Sequence, residues 1–147
     1  MPTITPYLWF DNQAEEAAHH YVSIFNDSKI LDVKRNDDGS AMLVSFQIEG
    51  QKVMALNGGP QFTFSDSFSL YIDCPDQAEV DRVWDALCAK PGPCGWLTDE
   101  YGLAWQVIPK RLNELLADPD RDIAQRASQA MFGMTKIDVK ALEEACR

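Results

Sequence analysis

The sequence predicts an α+β fold in which two copies of one βαβββ unit are followed by a helical extension. Three observations support this prediction: a repeated strand–helix junction, alternating apolar residues in later segments, and a helical pattern after Pro109. A chain of 147 residues is long enough to form one domain with its own core. We expect a single domain over residues 1–147, divided into a first unit (1–60), a second unit (67–109) and C-terminal helices (110–147).

The repeat becomes visible when the sequence is shifted by 64 positions. Ile4–Phe10 and Phe68–Cys74 are predicted strands, and each leads into a predicted helix. The shift aligns Tyr7 with Tyr71, Leu8 with Ile72, Asn12 with Asp76, Gln13 with Gln77, Ala14 with Ala78, and Glu15 with Glu79. Asn12 and Asp76 each precede a glutamate by three residues, which is the spacing of a capping box and predicts both as N-caps. An internal repeat is favoured over a coincidence between two ordinary strand–helix junctions.

Further strands are predicted after each helix, from apolar and polar residues that alternate as in a half-buried antiparallel strand. They are Lys29–Lys34, Met42–Glu49, Lys52–Asn57, Cys94–Asp99 and Leu103–Ile108. Turns are expected at Asp37–Gly39, Gly50-Gln51 and Glu100–Gly102. The extension is predicted to form helices at Lys110–Ala117, Asp120–Phe132 and Val139–Cys146, with Asp138 as the last cap.

Composition and charge disfavour several classes of partner and of location. The formal net charge of −10 disfavours nucleic acid and anionic membrane surfaces, because both require a basic patch. The sequence has no run of 18 or more apolar residues and no signal-peptide pattern at its N-terminus. Its four cysteines form no CxxC pair, which favours reduced thiols over disulfides. We therefore expect a cytoplasmic protein without a membrane span.

Four sequence blocks, in this order, resemble one known family. They are TPYLWFDNQAEEAAHHYVSIF (Thr5–Phe25), ALNGGP (Ala55–Pro60), GWLTDEYGLAWQVIP (Gly95–Pro109) and MFGMTKIDVKALEEA (Met131–Ala145). The family is the PhnB-like one, labelled 3-demethylubiquinone-9 3-methyltransferase, within the vicinal oxygen chelate superfamily of glyoxalase and bleomycin-resistance proteins. The resemblance implies that each unit is a curved half-barrel, that a small molecule binds between the two, and that the chain forms a homodimer.

In metal-dependent members of that superfamily, His, Glu or Gln side chains hold an ion that polarises vicinal oxygens of the substrate. Such a centre needs about three imidazole or carboxylate ligands. The strands that would supply them offer only Asn57, Asp73, Cys74 and Gln106. Gln106 stands where metal-dependent relatives carry a glutamate. His19 and His20 are neighbours on a helix and point about 100° apart, so they cannot hold one ion together. The sequence therefore predicts neither a metal nor a cofactor.

The candidate ligand-binding residues are aromatic or carry neutral polar groups. They are Tyr7, Trp9, Asn57, Gly58, Trp105 and Gln106. Aromatic rings could line a pocket for a flat or apolar ligand, although strand alternation allows only one of the pairs Tyr7/Trp9 and Leu8/Phe10 to face it. The Gln106 amide can donate and accept hydrogen bonds, so it could hold a ligand or merely bond a side chain of a neighbouring strand. The sequence is compatible with both interpretations of Gln106.

The sequence thus predicts a small-molecule-binding protein or a metal-independent enzyme. The main alternative is a metal-dependent lyase, isomerase or dioxygenase of the same superfamily. A methyltransferase is less favoured because the sequence lacks a GxGxG turn, and a purely structural oligomer would have its pocket filled by aromatic rings. The apolar residues of the extension must also be buried, either on the chain's own domain or across a dimer interface.

Overall fold

The computed structural model describes all 147 residues, which form two compact units, Met1–Phe64 and Ser65–Arg147. Unit 1 consists of β1 (Tyr7–Phe10), α1 (Ala14–Ile24), β2 (Lys29–Arg35), β3 (Ala41–Ile48) and β4 (Gln51–Asn57). Unit 2 consists of β5 (Ser69–Cys74), α2 (Gln77–Leu87), β6 (Lys90–Pro91), β7 (Trp96–Thr98), β8 (Ala104–Pro109), α3 (Lys110–Leu116), α4 (Arg121–Phe132) and α5 (Val139–Ala145). No helix is both long and apolar enough to cross a bilayer.

The two units have the same sheet topology. Their strand orders are β1-β4-β3-β2 and β5-β8-β7-β6. In each, the first and last strands pair in parallel and the other neighbours are antiparallel. Tyr7 lies beside Met54 in unit 1, and its counterpart Tyr71 lies beside Gln106 in unit 2. The α+β fold of two βαβββ units is therefore confirmed, and each sheet is open rather than closed into a barrel.

In unit 1, α1 covers one face of the sheet. The buried residues on this side of the sheet are Leu8, Phe10, Val44, Phe46, Ile48, Val53 and Ala55. The helix meets them with a stripe of buried residues that includes Ala14, Ala17, Ala18 and Tyr21, and the Tyr21 and Phe46 rings lie 6.2 Å apart. Burying each large apolar side chain contributes about 1.5–3 kcal/mol. The alternate residues, on the opposite face, have no helix of unit 1 over them.

The start of α1 differs from the prediction. The helix begins at Ala14 after Gln13, whose side chain caps nothing, so Asn12 lies one residue too early to be the N-cap. Its first amide is instead satisfied from another strand, because Asn57 Oδ1 accepts a hydrogen bond of 2.8 Å from Ala14 N. In unit 2 the predicted cap is confirmed, since Asp76 Oδ1 accepts from Glu79 N at 2.9 Å.

Several strand ends also differ from the prediction. The first strand begins at Tyr7, not Ile4, because Pro6 has no N–H to give to the sheet and contributes only its carbonyl to Met54 N. The β3–β4 turn is Glu49-Gly50, one residue earlier than expected, and both residues have positive φ (45° and 79°), as a type I′ turn requires. Strand β7 begins at Trp96, not Cys94, because positive φ angles at Cys94 and Gly95 turn their N–H groups away from β8, although Gly95 O still accepts from Val107 N.

The C-terminal helices pack on unit 2. Their core contains Ile108, Leu112, Leu115, Ala127, Ile137 and Leu142, all buried. The predicted cap of α5 is confirmed, since Asp138 Oδ1 accepts from Ala141 N at 3.1 Å. Of the two alternatives for the extension, packing on its own chain is therefore confirmed.

Candidate functional site

Trp9 is the most constrained aromatic residue on the helix-free face of unit 1. Its Nε1 donates a hydrogen bond of 2.9 Å to Gly59 O. The ring lies so close to the backbone after β4 that a Cβ atom on Gly58 would be 2.5 Å from its Cε2 atom. The Phe62 ring makes a T-shaped contact with the indole, with 4.9 Å between the ring centroids. Gly58 is thus required so that the indole can rest on the chain.

The rest of this face is apolar at its centre. Tyr7 lies two residues before Trp9 on β1, so the two side chains are on the same face, and Tyr7 is 54% exposed. Strand register places Met54 and Leu56 next to these two rings, and all but Tyr7 are half-buried. The outer strand β2 brings charged residues to the margin, including Asp32 in register with Ser45. The surface therefore combines ring and aliphatic carbon with a polar edge.

Gly58 and Asn57 are adjacent in the sequence, but Asn57 points to the α1 side of the sheet. Its Oδ1 accepts from Ala14 N, and its Nδ2 donates to Ala41 O at 3.0 Å. Both ends of the amide thus tie α1 and β3 to β4. The structure does not bring Asn57 together with Tyr7 and Trp9.

Gln106 lies on β8 in unit 2, between Trp96 of β7 and Tyr71 of β5. Its Nε2 donates to Ser69 Oγ at 3.0 Å, so the amide does bond a side chain of the neighbouring strand. Its Oε1 accepts no hydrogen bond from the protein and is not buried. The hydroxyl of Tyr71 accepts from Asn113 Nδ2 at 2.7 Å. One end of Gln106 is therefore structural, and the other is free to accept a donor.

Trp105 follows the opposite alternation and does not share a surface with Gln106. It is 1% exposed, and its Nε1 donates to Asp99 Oδ2 at 2.9 Å. Asp99, itself 3% exposed, also accepts from Tyr101 N and Leu103 N at 2.9 and 3.0 Å. Trp105 is thus part of the core. The role of Asp99 was not predicted from the sequence. A carboxylate at the start of a turn, here four residues before Leu103, commonly accepts hydrogen bonds from the turn's backbone N–H groups.

No three His, Cys, Asp or Glu side chains come together in a group that could hold a metal ion. His19 is exposed and His20 is half-buried on α1. Burial raises the pKa of the Cys74 thiol to about 12, with further contributions from Glu79 and Asp73. This thiol is therefore protonated at neutral pH and is not a ready nucleophile.

The family model of the 3-demethylubiquinone-9 3-methyltransferases matches residues 2–108. The chain belongs to this PhnB-like family. Its two βαβββ units are those that the resemblance to this family implied. Helices α3, α4 and α5 lie beyond the part that the family model matches.

Three solved structures share this fold. A PhnB protein from Bacillus cereus with the same family description is 30% identical, and the match covers 74% of this chain and 99% of that chain with a TM-score of 0.66. A protein from Pseudomonas aeruginosa is 20% identical over 74% of this chain and 98% of its own, with a TM-score of 0.62. A gene product from Arabidopsis thaliana is 16% identical over 71% and 96%, with a TM-score of 0.50. No curated protein matches the chain.

Proposed function

We propose that this PhnB-like chain binds a small molecule on the helix-free face of unit 1, either as a binding protein or as an enzyme that works without a metal ion. The observation that carries the proposal is the held position of Trp9. Gly58 lies close to its ring, Gly59 O accepts a hydrogen bond from its N–H, and the Phe62 ring makes a T-shaped contact with it. A ring fixed in this way is preorganised, so a ligand does not have to order it on binding.

The chemistry of the face indicates the kind of ligand. The only polar atom of the Trp9 side chain already bonds to Gly59 O, so the indole offers ring carbon. Tyr7, Met54 and Leu56 extend this surface with one further ring and two flexible aliphatic chains. Such surroundings suit a flat or apolar molecule held mainly by contact area, with polar groups at its margin.

Gln106 is proposed as a separate ligand handle in unit 2. Its free Oε1 can accept one hydrogen bond from an N–H or O–H group, while the bond from Nε2 to Ser69 fixes the amide orientation. The proposal includes a cytoplasmic homodimer, as the family resemblance implies. It includes no nucleic-acid or membrane partner, which the net charge of −10 supports. The family description is not extended to methyl transfer, because both sheets are mixed rather than doubly wound and parallel.

A thermal-shift screen with metabolites and with flat aromatic or cationic compounds tests the first part. For a compound that raises Tm, Trp9→Leu should weaken binding by about tenfold or more, since a buried ring contact is worth over 1 kcal/mol. Trp84→Leu is the matched control, because Trp84 is also half-buried but lies on α2. Equal loss of affinity in both variants would place the ligand elsewhere.

Gln106→Ala tests whether Gln106 binds a ligand. For a compound that raises Tm and whose affinity Trp9→Leu leaves unchanged, loss of one neutral hydrogen bond should weaken binding about three- to tenfold, with less than about 1.5 kcal/mol lost in unfolding free energy. Unchanged affinity together with a loss of about 1–3 kcal/mol in stability would make the residue purely structural.

Metal analysis tests the alternative mechanism. We expect purified protein, and also the Gln106→Glu variant, to bind no divalent ion tightly, because no neighbouring strand completes a ligand set. About one ion per chain that a chelator removes together with an activity would favour a metal-dependent lyase, isomerase or dioxygenase instead.

A further inference from the structure

A cavity of about 390 Å³ lies between the end of α3 and the first two turns of α4, beyond the part of the chain that the family model matches. One residue of α3 and four of α4 line it: Leu116, Arg121, Ala124, Gln125 and Ser128. The four residues of α4 are spaced by three, one and three positions, so they share one face of the helix. At roughly 30 Å³ for each water-sized group, the cavity has room for about a dozen non-hydrogen atoms.

The polar side chains of this cavity have no partner within the chain. Arg121 forms no ion pair or hydrogen bond, and neither Gln125 nor Ser128 forms a side-chain hydrogen bond. The other arginines before the C-terminal residue are all bonded: Arg35, Arg82 and Arg111 pair with glutamates, and Arg126 donates to Arg147 O at 3.0 Å. Arg121 is therefore a cationic donor that is free to bind an anion, in a chain with 23 acidic and 13 basic residues.

The rest of the lining is apolar. Leu116 is half-buried, and Ala124 is the most buried of the five residues, at 8% exposed. The small side chains of Ala124 and Ser128 leave open the space that a larger residue on this face of α4 would fill. The cavity thus places aliphatic carbon next to the donors of a guanidinium, an amide and a hydroxyl group.

The donors favour a carboxylate over other anions. The planar guanidinium of Arg121 presents pairs of N–H groups that match the two oxygens of a carboxylate. Asp118, Asp120 and Asp122 lie around the start of α4 but do not line the cavity. Their negative charge opposes a second charge on the ligand, so a monoanion is favoured over a dianionic phosphate.

We propose that the cavity between α3 and α4 is a second small-molecule site, which binds a monocarboxylate with a short aliphatic chain. Arg121 holds the carboxylate, and the Gln125 amide and the Ser128 hydroxyl donate further hydrogen bonds to it. The aliphatic chain of the ligand packs on Leu116 and Ala124. The site uses none of the residues proposed above as ligand contacts, so it does not depend on the face of unit 1 or on Gln106.

Hexanoate and hexanamide test the preference for an anion, because they have the same carbon chain and similar head groups but differ in charge. Titration of the ¹⁵N-labelled full-length chain with hexanoate should give saturable NMR shift changes at the amides of Leu116, Ala124 and Ser128. Hexanamide should bind about fivefold more weakly, since it lacks the charge-assisted bonds to the guanidinium. Equal affinities, tighter binding of hexyl phosphate, or shift changes confined to unit 1 would overturn the proposal.

Arg121→Gln tests the cation itself and should weaken hexanoate binding about fivefold. Lys140→Gln is the matched control, because Lys140 is also exposed in the extension but lies on α5 and does not line the cavity. The control removes the same charge and should change the affinity by less than about twofold. Equal loss in both variants would reduce the effect to the net charge of the chain and would overturn the proposal.

Ser128→Leu tests the cavity without changing the charge. The larger side chain should fill the space and abolish hexanoate binding, whereas Gln129→Leu, at the next and exposed position of α4, should leave it unchanged. Both substitutions introduce a good helix former, so α4 is retained. Trp9→Leu should also leave hexanoate binding unchanged. Full binding by Ser128→Leu, or loss of binding in Trp9→Leu, would show that hexanoate binds elsewhere and would overturn this site but not the proposed function of unit 1.

Discussion

The two units have the same strand order, but they differ in what covers the sheet face opposite their helix. Leu56 of unit 1 and Ile108 of unit 2 occupy equivalent positions on the last strand. Leu56 is half-buried, whereas Ile108 is 4% exposed in a cluster with α3, α4 and α5. Tyr7 and its counterpart Tyr71 are about equally exposed, at 54% and 51%, but Asn113 on α3 donates a hydrogen bond to the Tyr71 hydroxyl.

The difference shows how a duplicated unit acquires separate roles. Register and pairing stayed the same, and residues added after the second copy buried the end of its face. Unit 1 received no such helices and instead has the chain after β4 folded back onto Trp9. The exposed aromatic surface is therefore concentrated in unit 1, whereas the C-terminal helices bury the equivalent end of the sheet face in unit 2.

The largest expected loss of stability distinguishes the β7–β8 hairpin of unit 2 from the β3–β4 hairpin of unit 1. Asp99→Ala removes the acceptor of three buried or half-buried donors in unit 2, and should lower the free energy of unfolding by about 4 kcal/mol. Glu49→Ala at the exposed β3–β4 turn of unit 1 should cost less than about 1 kcal/mol, because its one side-chain bond to Asn26 N is solvent-exposed. Urea unfolding measures both. Similar losses would mean that Asp99 does not anchor its hairpin.

The next largest effect is expected on the sheet faces opposite α1 and α2. Ile108→Ala should cost about 3 kcal/mol, because the cavity would open inside a closed cluster. Leu56→Ala should cost about 1 kcal/mol, because the half-buried site leaves a smaller cavity and water can reach it. Equal values in urea unfolding would contradict the claim that the two faces are covered differently.

A smaller effect is expected where Trp9 rests on the backbone. Gly58→Ala forces the indole away and should cost about 2 kcal/mol, with a change in tryptophan fluorescence. Gly133→Ala is the matched control in unit 2, since the nearest atom to its Cβ would be Ala130 O at 3.6 Å. The control should leave stability unchanged or raise it by up to about 1 kcal/mol. A Gly58→Ala protein with unchanged fluorescence would show that Trp9 has room to adjust.

The smallest effect depends on pH. Cys74 aligns with Phe10 of unit 1, and burial raises the pKa of its thiol from 9.0 to about 12. The unfolded chain releases this proton first, so stability is complete below pH 9 and is lost between pH 9 and 12. At pH 10 the loss should be roughly 1.4 kcal/mol. Cys74→Val should lack this component in urea unfolding at pH 7 and pH 10, and an identical loss in both proteins would show that another group titrates.

Much of the fold could be predicted from short-range pattern. Alternation along β3 and the 3.6-residue stripe of α1 are properties of neighbouring residues, and Asp76 and Asp138 cap helices that begin directly after them. The candidate site was predicted less well. Tyr7, Trp9 and Gly58 do come together, but Trp105 and Asn57 do not join them. The alternation rule could have separated Trp105 from Gln106, since adjacent residues of a strand face opposite sides.

What the sequence determined by itself was therefore the class of fold, the repeat and the helical extension, because these depend on periodicity and on caps close in the chain. Only the tertiary structure decided which partners the polar side chains form hydrogen bonds with. Asn57 caps a helix 43 residues away, and Gln77 holds Ile137 from 60 residues away. Such bonds depend on which strands become neighbours, and a buried or half-buried amide bonds whichever partner the fold brings within about 3 Å. No local pattern encodes that choice.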